Sequence, residues 1–255
     1  MIRAKGVTDT GRVRKVNEDR FVSDPALRLF AVADGMGGHQ AGEVASELAI
    51  EAITSFIKLS VSDEDLTWPY GIDPTLSFDG NRLRTAICLA NRRVFRAAET
   101  SDDYAGMGTT LVGLLVDGPQ LAIGSVGDSR IYLLSRGGLE QLTVDDSWAA
   151  TILAQDPSLK PEEIAQHPMR NVLTNVLGAR DTVNVHVTER TLTSGDTLLL
   201  CSDGLHGVVP PATLQEFLGR TTDFENIPQA LVDLALAQGS RDNLTALVVR
   251  YEEDR

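Results

Sequence analysis

Apolar residues recur at helical spacing in two segments, at Val44, Leu48, Ala49, Ala52, Ile53, Phe56 and Ile57 and again at Leu83, Ile87, Ala90, Val94 and Ala97. A spacing of three and four residues gathers such side chains on one stripe, so both segments are predicted to be amphipathic helices. Ile227, Leu231, Leu234 and Ala235 mark a third helix, with Pro228 near its start, where a missing amide costs least. Elsewhere the period changes to two. Val183, Val185 and Val187 alternate with Asn184, His186 and Thr188, which predicts a strand with one wet face. Continuous apolar runs at 29–33, 110–116, 121–126, 131–134, 197–201 and 244–249 read as more deeply buried strands. Asp117-Gly118 and Gly137-Gly138 join neighbouring runs as hairpins, so the sheets are expected to be antiparallel.

Two segments stand apart from this pattern. Residues 60–80, rich in Asp, Pro and Ser, read as an exposed connection, and 144–180, with Trp148 and several prolines, interrupts the strand series as a cover over a site would. There is no internal repeat and no shift in composition, so 1–255 is expected to be a single domain carrying a flap at about 144–180. The longest apolar runs fall far short of the roughly 20 residues that span a bilayer, and no apolar leader follows the basic residues near the N-terminus. A cytoplasmic location is expected.

The balance of charge narrows the partners. Lys and Arg number 23 against 36 Asp and Glu, a net charge of −13, with no basic run to track a phosphate backbone. Nucleic acid and anionic membranes are therefore not expected partners. Cys88 and Cys201 both lie within apolar patterns as reduced thiols, which leaves no disulfide framework.

The informative chemistry lies where apolar runs end in aspartate beside glycine. Asp34-Gly35 closes one run, Gly127-Asp128 a second and Asp203-Gly204 a third, and Asp242 precedes the last strand. A single Asp-Gly is an ordinary turn. Four carboxylates at strand ends can converge on one edge, where they would repel one another unless cations sit between them. Carboxylate and carbonyl oxygens without clustered thiols or imidazoles suit Mg²⁺ or Mn²⁺ better than zinc. Two such ions can lower the pKa of a water and aim it at phosphorus, which is phosphoester hydrolysis. Arg14 is a candidate phosphate clamp, because guanidinium matches phosphate oxygens in a bidentate way.

Six segments in series then resemble the ordered motifs of the bacterial type 2C metal-dependent protein serine/threonine phosphatases. They are Gly11-Arg12-Val13-Arg14-Lys15-Val16-Asn17-Glu18-Asp19, Val32-Ala33-Asp34-Gly35-Met36-Gly37-Gly38-His39, Gly106-Met107-Gly108-Thr109-Thr110, Gly124-Ser125-Val126-Gly127-Asp128-Ser129-Arg130, Cys201-Ser202-Asp203-Gly204-Leu205 and Ser240-Arg241-Asp242-Asn243-Leu244-Thr245. The resemblance covers nearly the whole chain. It implies an α+β fold, a four-layer α/β/β/α sandwich of two antiparallel sheets flanked by helices, with metals at one end. It implies that Asp34 bridges two Mn²⁺ or Mg²⁺ ions, that the Gly35 carbonyl binds one, that Asp203 and Asp242 bind the other, and that Asp19 supports the cluster directly or through water. Asp128 with Asp203 matches the holder of a third, weaker ion. Arg14 and Asp34 would act in catalysis, and His39 would serve as a leaving-group acid, although a helix-start or surface role suits His39 as well. The implied partners are phosphorylated proteins and a cognate Ser/Thr kinase, with the chain acting as a monomer.

The flap departs from the family pattern, since Asp146 stands where bacterial members often carry histidine. His167-Pro168 later in the flap reads as structural. Two other readings compete. A pseudophosphatase would keep the sandwich and lose metal ligands, yet Asp34, Asp203 and Asp242 are all present with Arg14. Asp63-Glu64-Asp65-Leu66-Thr67 matches the D-x-D-x-T nucleophile motif of haloacid-dehalogenase-like phosphatases, a motif that needs a buried parallel strand before it. A cysteine-based phosphatase is excluded, because a C-x₅-R loop would need arginine where Val94 and Gly207 stand.

Overall fold

The computed structural model describes residues 1–38, 41–63, 66–156, 158–160, 164 and 167–253. One antiparallel sheet has the order β1-β11-β10-β7-β8, formed by β1 (Ile2–Asp9), β11 (Leu244–Tyr251), β10 (Thr197–Cys201), β7 (Arg130–Ser135) and β8 (Gly138–Gln141). The other has the order β2-β3-β5-β6-β9, formed by β2 (Asp19–Asp24), β3 (Leu29–Met36), β5 (Leu111–Asp117), β6 (Gln120–Val126) and β9 (His186–Thr191), and the short β4 (Gly108–Thr109) pairs with the end of β3. The hairpins expected at Asp117-Gly118 and Gly137-Gly138 join β5 to β6 and β7 to β8.

Continuous apolar runs arise because each sheet is covered on both faces. Successive side chains of a strand point to opposite faces. Phe30, Val32, Leu114 and Ile123 of one sheet meet Ile131, Leu200, Leu247 and Val249 of the other in the central layer. Their neighbours Leu29, Ala33, Leu111 and Leu115 turn outward against α1 (Ala41–Ser62) and α2 (Phe78–Thr100). On the far side Leu199, Cys201, Ala246 and Val248 pack under α4 (Asp203–His206), α5 (Pro211–Leu218) and α6 (Ile227–Ala237). The result is the four-layer α/β/β/α sandwich expected from the sequence.

The observed helices contain the predicted ones and extend beyond them at their ends. α1 runs on to Ser62, and α2 begins after Ser77, whose hydroxyl accepts the Gly80 amide as an N-cap, so the connection predicted over 60–80 is shorter than expected. Asp63 follows the last turn of α1, its amide donating to the Leu59 carbonyl, and no strand precedes it; Glu64 and Asp65 lie outside the described residues. The haloacid-dehalogenase context is therefore missing. The strand predicted over 183–188 begins only at His186, where pairing with Ser125 of β6 starts. Val183 and Val185 instead pack against the α1–α2 cluster, because Asn175 and Asn91 tie the preceding chain away from the sheet.

Within 144–180, α3 (Trp148–Gln155) is capped by Ser147, and the segment returns to the body through bridges Ser147↔Leu173 and Thr109↔Leu177. Trp148 stacks on His167 with ring centroids 4.2 Å apart, and His167 Nδ1 accepts the Met169 amide.

Candidate metal centre

The antiparallel registers bring the strand-end aspartates to one end of the sandwich. Asp34 in β3 lies opposite Asp19 in β2. Asp203 opens α4 directly after β10, and Asp242 sits just before β11, which is the neighbour of β10. Asp128 follows β6. The ends of β3 and β6 are tied through Thr110, whose hydroxyl accepts the Asp34 amide at 3.1 Å and contacts Ser129 Oγ at 2.8 Å.

Glycine makes the close approach possible. A Cβ on Gly35 would stand 1.9 Å from the Gly42 carbonyl oxygen, so only glycine lets the start of α1 press against the end of β3. The Gly35 amide donates to the Glu18 carbonyl at 3.1 Å and fixes the loop that carries Arg14.

These residues border a cavity of about 370 Å³. Arg14, Asp34, Gly35, Asp128, Asp203 and Asp242 line it, and Asn171, Leu173 and Val176 of the flap close another side. Asp19 lies fully buried, its Oδ2 accepting hydrogen bonds from Ser202 Oγ and Thr245 Oγ1, both at 2.7 Å. Arg14 Nη2 donates to Asp242 Oδ2 at 2.7 Å. Of the residues expected here, His39 lies outside the described residues.

The electrostatics are those of clustered carboxylates that outnumber the one arginine beside them. Burial, and then the charges of Asp203 and Asp242, push Asp19 up to about 6 against its hydroxyl donors. Asp128 is pushed up to about 7 by burial and the charges of Asp203 and Asp145. Asp34 is raised well above the carboxylate range by burial and by Asp19, Asp203, Asp128 and Asp242, and Asp203 is raised by burial and Asp242. The buried Oδ1 atoms of Asp19 and Asp203 have no hydrogen-bond partner. An orphaned carboxylate oxygen in a buried site is costly unless something positive meets it.

Hard divalent cations fit this donor set. Among the described residues no three His, Cys, Asp or Glu side chains converge tightly enough to hold an ion by themselves. Carbonyl oxygen and water would therefore have to complete any coordination shell, a manner of binding natural to Mg²⁺, which keeps several waters.

Sequence reasoning passed over two residues of the site. Glu18 lines the cavity, and its carboxyl is raised by burial. Asn243 donates to the carbonyls of Thr10 and Val16 and accepts the Glu18 amide, pinning the Arg14 loop from the start of the neighbouring strand β11. The only sequence sign of either was its place beside an aspartate in a motif.

An oxygen-lined, acidic cavity at the end of an α/β/β/α sandwich, with an arginine at its rim, defines the class of metal-dependent phosphoester hydrolases. The chain belongs to the protein phosphatase 2C family, whose model matches residues 11–245. It is 36% identical over 252 residues to serine/threonine phosphatase stp of Listeria monocytogenes, covering 96% of this chain and 94% of that one. It superposes on serine/threonine phosphatase Stp1 from Staphylococcus aureus with a TM-score of 0.84 at 33% identity, over 99% of this chain and 96% of that one. The catalytic domain of serine/threonine protein phosphatase PstP, solved in complex with two manganese ions, matches with a TM-score of 0.81 at 37% identity over 99% of both chains.

Proposed function

We propose that this chain hydrolyses phosphoserine and phosphothreonine in proteins at a centre of two Mn²⁺ or Mg²⁺ ions held by Asp34, the Gly35 carbonyl, Asp203 and Asp242. The observation that carries this reading is the pair of buried, unpartnered carboxylate oxygens, on Asp19 and Asp203, beside four mutually repelling aspartates that line the cavity. When bound, hard divalent cations supply Lewis acidity toward phosphoryl oxygens and lower the pKa of water.

The chain's own residues do the rest. Arg14 carries a fixed positive charge at the rim, and the guanidinium donors not used by Asp242 bind the equatorial oxygens of the phosphoryl group. Asp19, fixed by Ser202 and Thr245, stands behind the cluster and keeps negative potential beneath it. Asp128, together with Asp203, would hold a third and weaker ion. Leu173 and Val176 of the flap exclude bulk water from one side of the cavity. His39 gives a proton to the departing Ser or Thr oxygen. The chain forms a single domain, with 144–180 as the flap that meets the phosphoprotein.

A cytoplasmic monomer opposing a Ser/Thr kinase is the setting this reading favours. Among the described residues no helix is long and apolar enough to cross a membrane, and the net charge of −13 repels polyanions. The test is hydrolysis of a phosphothreonine peptide with Mn²⁺, Mg²⁺ or EDTA, beside Asp203→Asn. Turnover that is lost in EDTA and in the variant supports the reading. A folded protein inert with every metal overturns it in favour of a binding module.

A further inference from the structure

Asp146, at the start of the flap, does not line the cavity, yet its polar contacts reach three separate parts of the chain. Its side chain is only 13% exposed. Oδ2 accepts from the Gly127 amide at 3.0 Å and from Asn175 Nδ2 at 2.7 Å. Oδ1 lies 2.8 Å from His186 Nε2 at the start of β9. The Asp146 amide donates to the Gly127 carbonyl at 2.9 Å, and its carbonyl accepts the Thr174 amide at 2.8 Å. Both ends of the flap, the first residue of β9 and the turn after β6 therefore meet at one residue. Asn175 extends the knot, donating to the Asn184 carbonyl at 2.8 Å.

The grip on Gly127 is the consequential one. Gly127 has φ +94°, a left-handed conformation that only glycine adopts freely, and a Cβ there would lie 2.8 Å from Thr110 Cβ. With its amide and its carbonyl both held by Asp146, the direction in which the chain leaves β6 is fixed, and the next residue is Asp128 on the cavity wall. The same carboxylate holds the closing end of the flap, three residues or fewer from Leu173 and Val176, which line that cavity too. Any effect of Asp146 on chemistry must pass through these neighbours, because it touches neither Asp34 nor Asp203.

We propose that Asp146 is a positioning residue that sets Asp128 through Gly127 and holds the flap over the cavity through Thr174 and Asn175, tying turnover and substrate docking to one carboxylate. This rests on the phosphatase reading above. Partners that orient metal-holding groups cost about 10- to 100-fold in activity or metal affinity when removed.

The experiment compares wild type, Asp146→Ala and Asp146→Asn by hydrogen exchange at the Gly127 amide and by kcat and KM, with Mn²⁺, on p-nitrophenyl phosphate and a phosphothreonine peptide. Asparagine keeps an oxygen for the Gly127 and Asn175 donors and an amide for His186. In Asp146→Ala, Gly127 exchange should accelerate, kcat should fall about 10-fold or more on both substrates, and KM should rise for the peptide alone. Asp146→Asn should recover most of each. Wild-type kinetics in Asp146→Ala reduce the knot to scaffold and overturn the proposal, as do unchanged Gly127 exchange and equal losses in the two variants. If Asp146→Ala does not fold, Asp146→Ser, too short to span the contacts, takes its place under the same criteria. A wild type inert with Mn²⁺ removes the phosphatase reading and this role in turnover with it, while Gly127 exchange still shows whether the clamp exists.

Discussion

Arg14 and Asp242 are 228 residues apart in the chain and 2.7 Å apart in the fold, guanidinium to carboxylate. The contact links the N-terminal loop to the turn that leads into β11, and Asn243 next door pins the same loop through Thr10 and Val16. Arg14 is about half exposed, so the pair contributes little to stability and its worth lies in aim.

Arg14→Ala should therefore leave the fold intact and weaken phosphate recognition. A charge-assisted hydrogen bond contributes about 1.5–3 kcal/mol, which corresponds to a loss of roughly 10- to 100-fold in kcat/KM. Arg14→Lys should recover only part, since a point charge does not reproduce the two-pronged guanidinium. Steady-state kinetics on p-nitrophenyl phosphate check this; full activity in Arg14→Ala would remove Arg14 from the phosphate site.

Removing metal should make stability fall as pH rises. In metal-free protein Asp19 is pushed up to about 6 and Asp128 up to about 7. A carboxyl whose folded pKa is raised contributes stability that is fully present below its unfolded pKa of about 4 and lost as pH climbs through the folded value. His206, held neutral by burial down to about 4, has the opposite sign, but its contribution is constant above about pH 6.5. Between pH 6.5 and 8 the melting temperature in EDTA should thus decline. Mn²⁺ at 100 times its Kd should restore about 2.7 kcal/mol, roughly 5–10 °C for a chain of this size, with a smaller gain at pH 5, where protons compete. Thermal melts in EDTA and in Mn²⁺ across this range decide it, and a Mn²⁺-insensitive melt at pH 8 would count against a cation site.

The parts of this protein that were legible in the sequence are those set by local pattern. Strands covered on both faces read as unbroken apolar runs, and the aspartates at their ends carried the glycines that their turns require. What escaped was set by distant partners. β2, Asp-Arg-Phe-Val-Ser-Asp, is an edge strand too short and polar to show a period, and it exists because Phe21 and Val22 pair with Val32 and Ala31 of β3. Val183 and Val185 alternate as a strand would, but the bonds from Asn91 and Asn175 hold that stretch off the sheet until His186. Asp146 showed in the sequence only as a departure from a pattern. Its meaning depends on contacts 19, 29 and 40 residues away, which no window of sequence contains.

Glycine at 35 should prove indispensable where glycine at 113 does not. An added methyl at Gly35 would meet the Gly42 carbonyl oxygen at 1.9 Å, backbone against backbone, whereas at Gly113 the nearest atom is the Ala31 methyl at 3.6 Å, an ordinary contact. Overpacking of the first kind costs about 1–3 kcal/mol or more and would push α1 from the cavity. Urea denaturation should place Gly35→Ala at least about 2 kcal/mol below wild type, with activity reduced, and Gly113→Ala within about 1 kcal/mol. Equal midpoints for the two variants would contradict the packing at the start of α1.

Sulfur chemistry should have no part in turnover. Cys201 is fully buried among Leu199, Leu205 and Val248, and burial pushes its thiol far above the usual cysteine range. Cys88 is half-buried, and its thiol is raised by burial as well. The thiolate is the reactive form, so neither side chain is primed as a nucleophile. Iodoacetamide on native protein should modify Cys88 slowly and leave Cys201 intact until denaturant is added, as mass spectrometry of the peptides would show, with metal-dependent hydrolysis unchanged throughout. Cys201→Ser should cost about 1–3 kcal/mol, because its hydroxyl would enter an apolar layer. Rapid labelling of Cys201 in the native state would mean that the layer beneath α4, which carries Asp203 at its first residue, opens far more readily than its packing indicates.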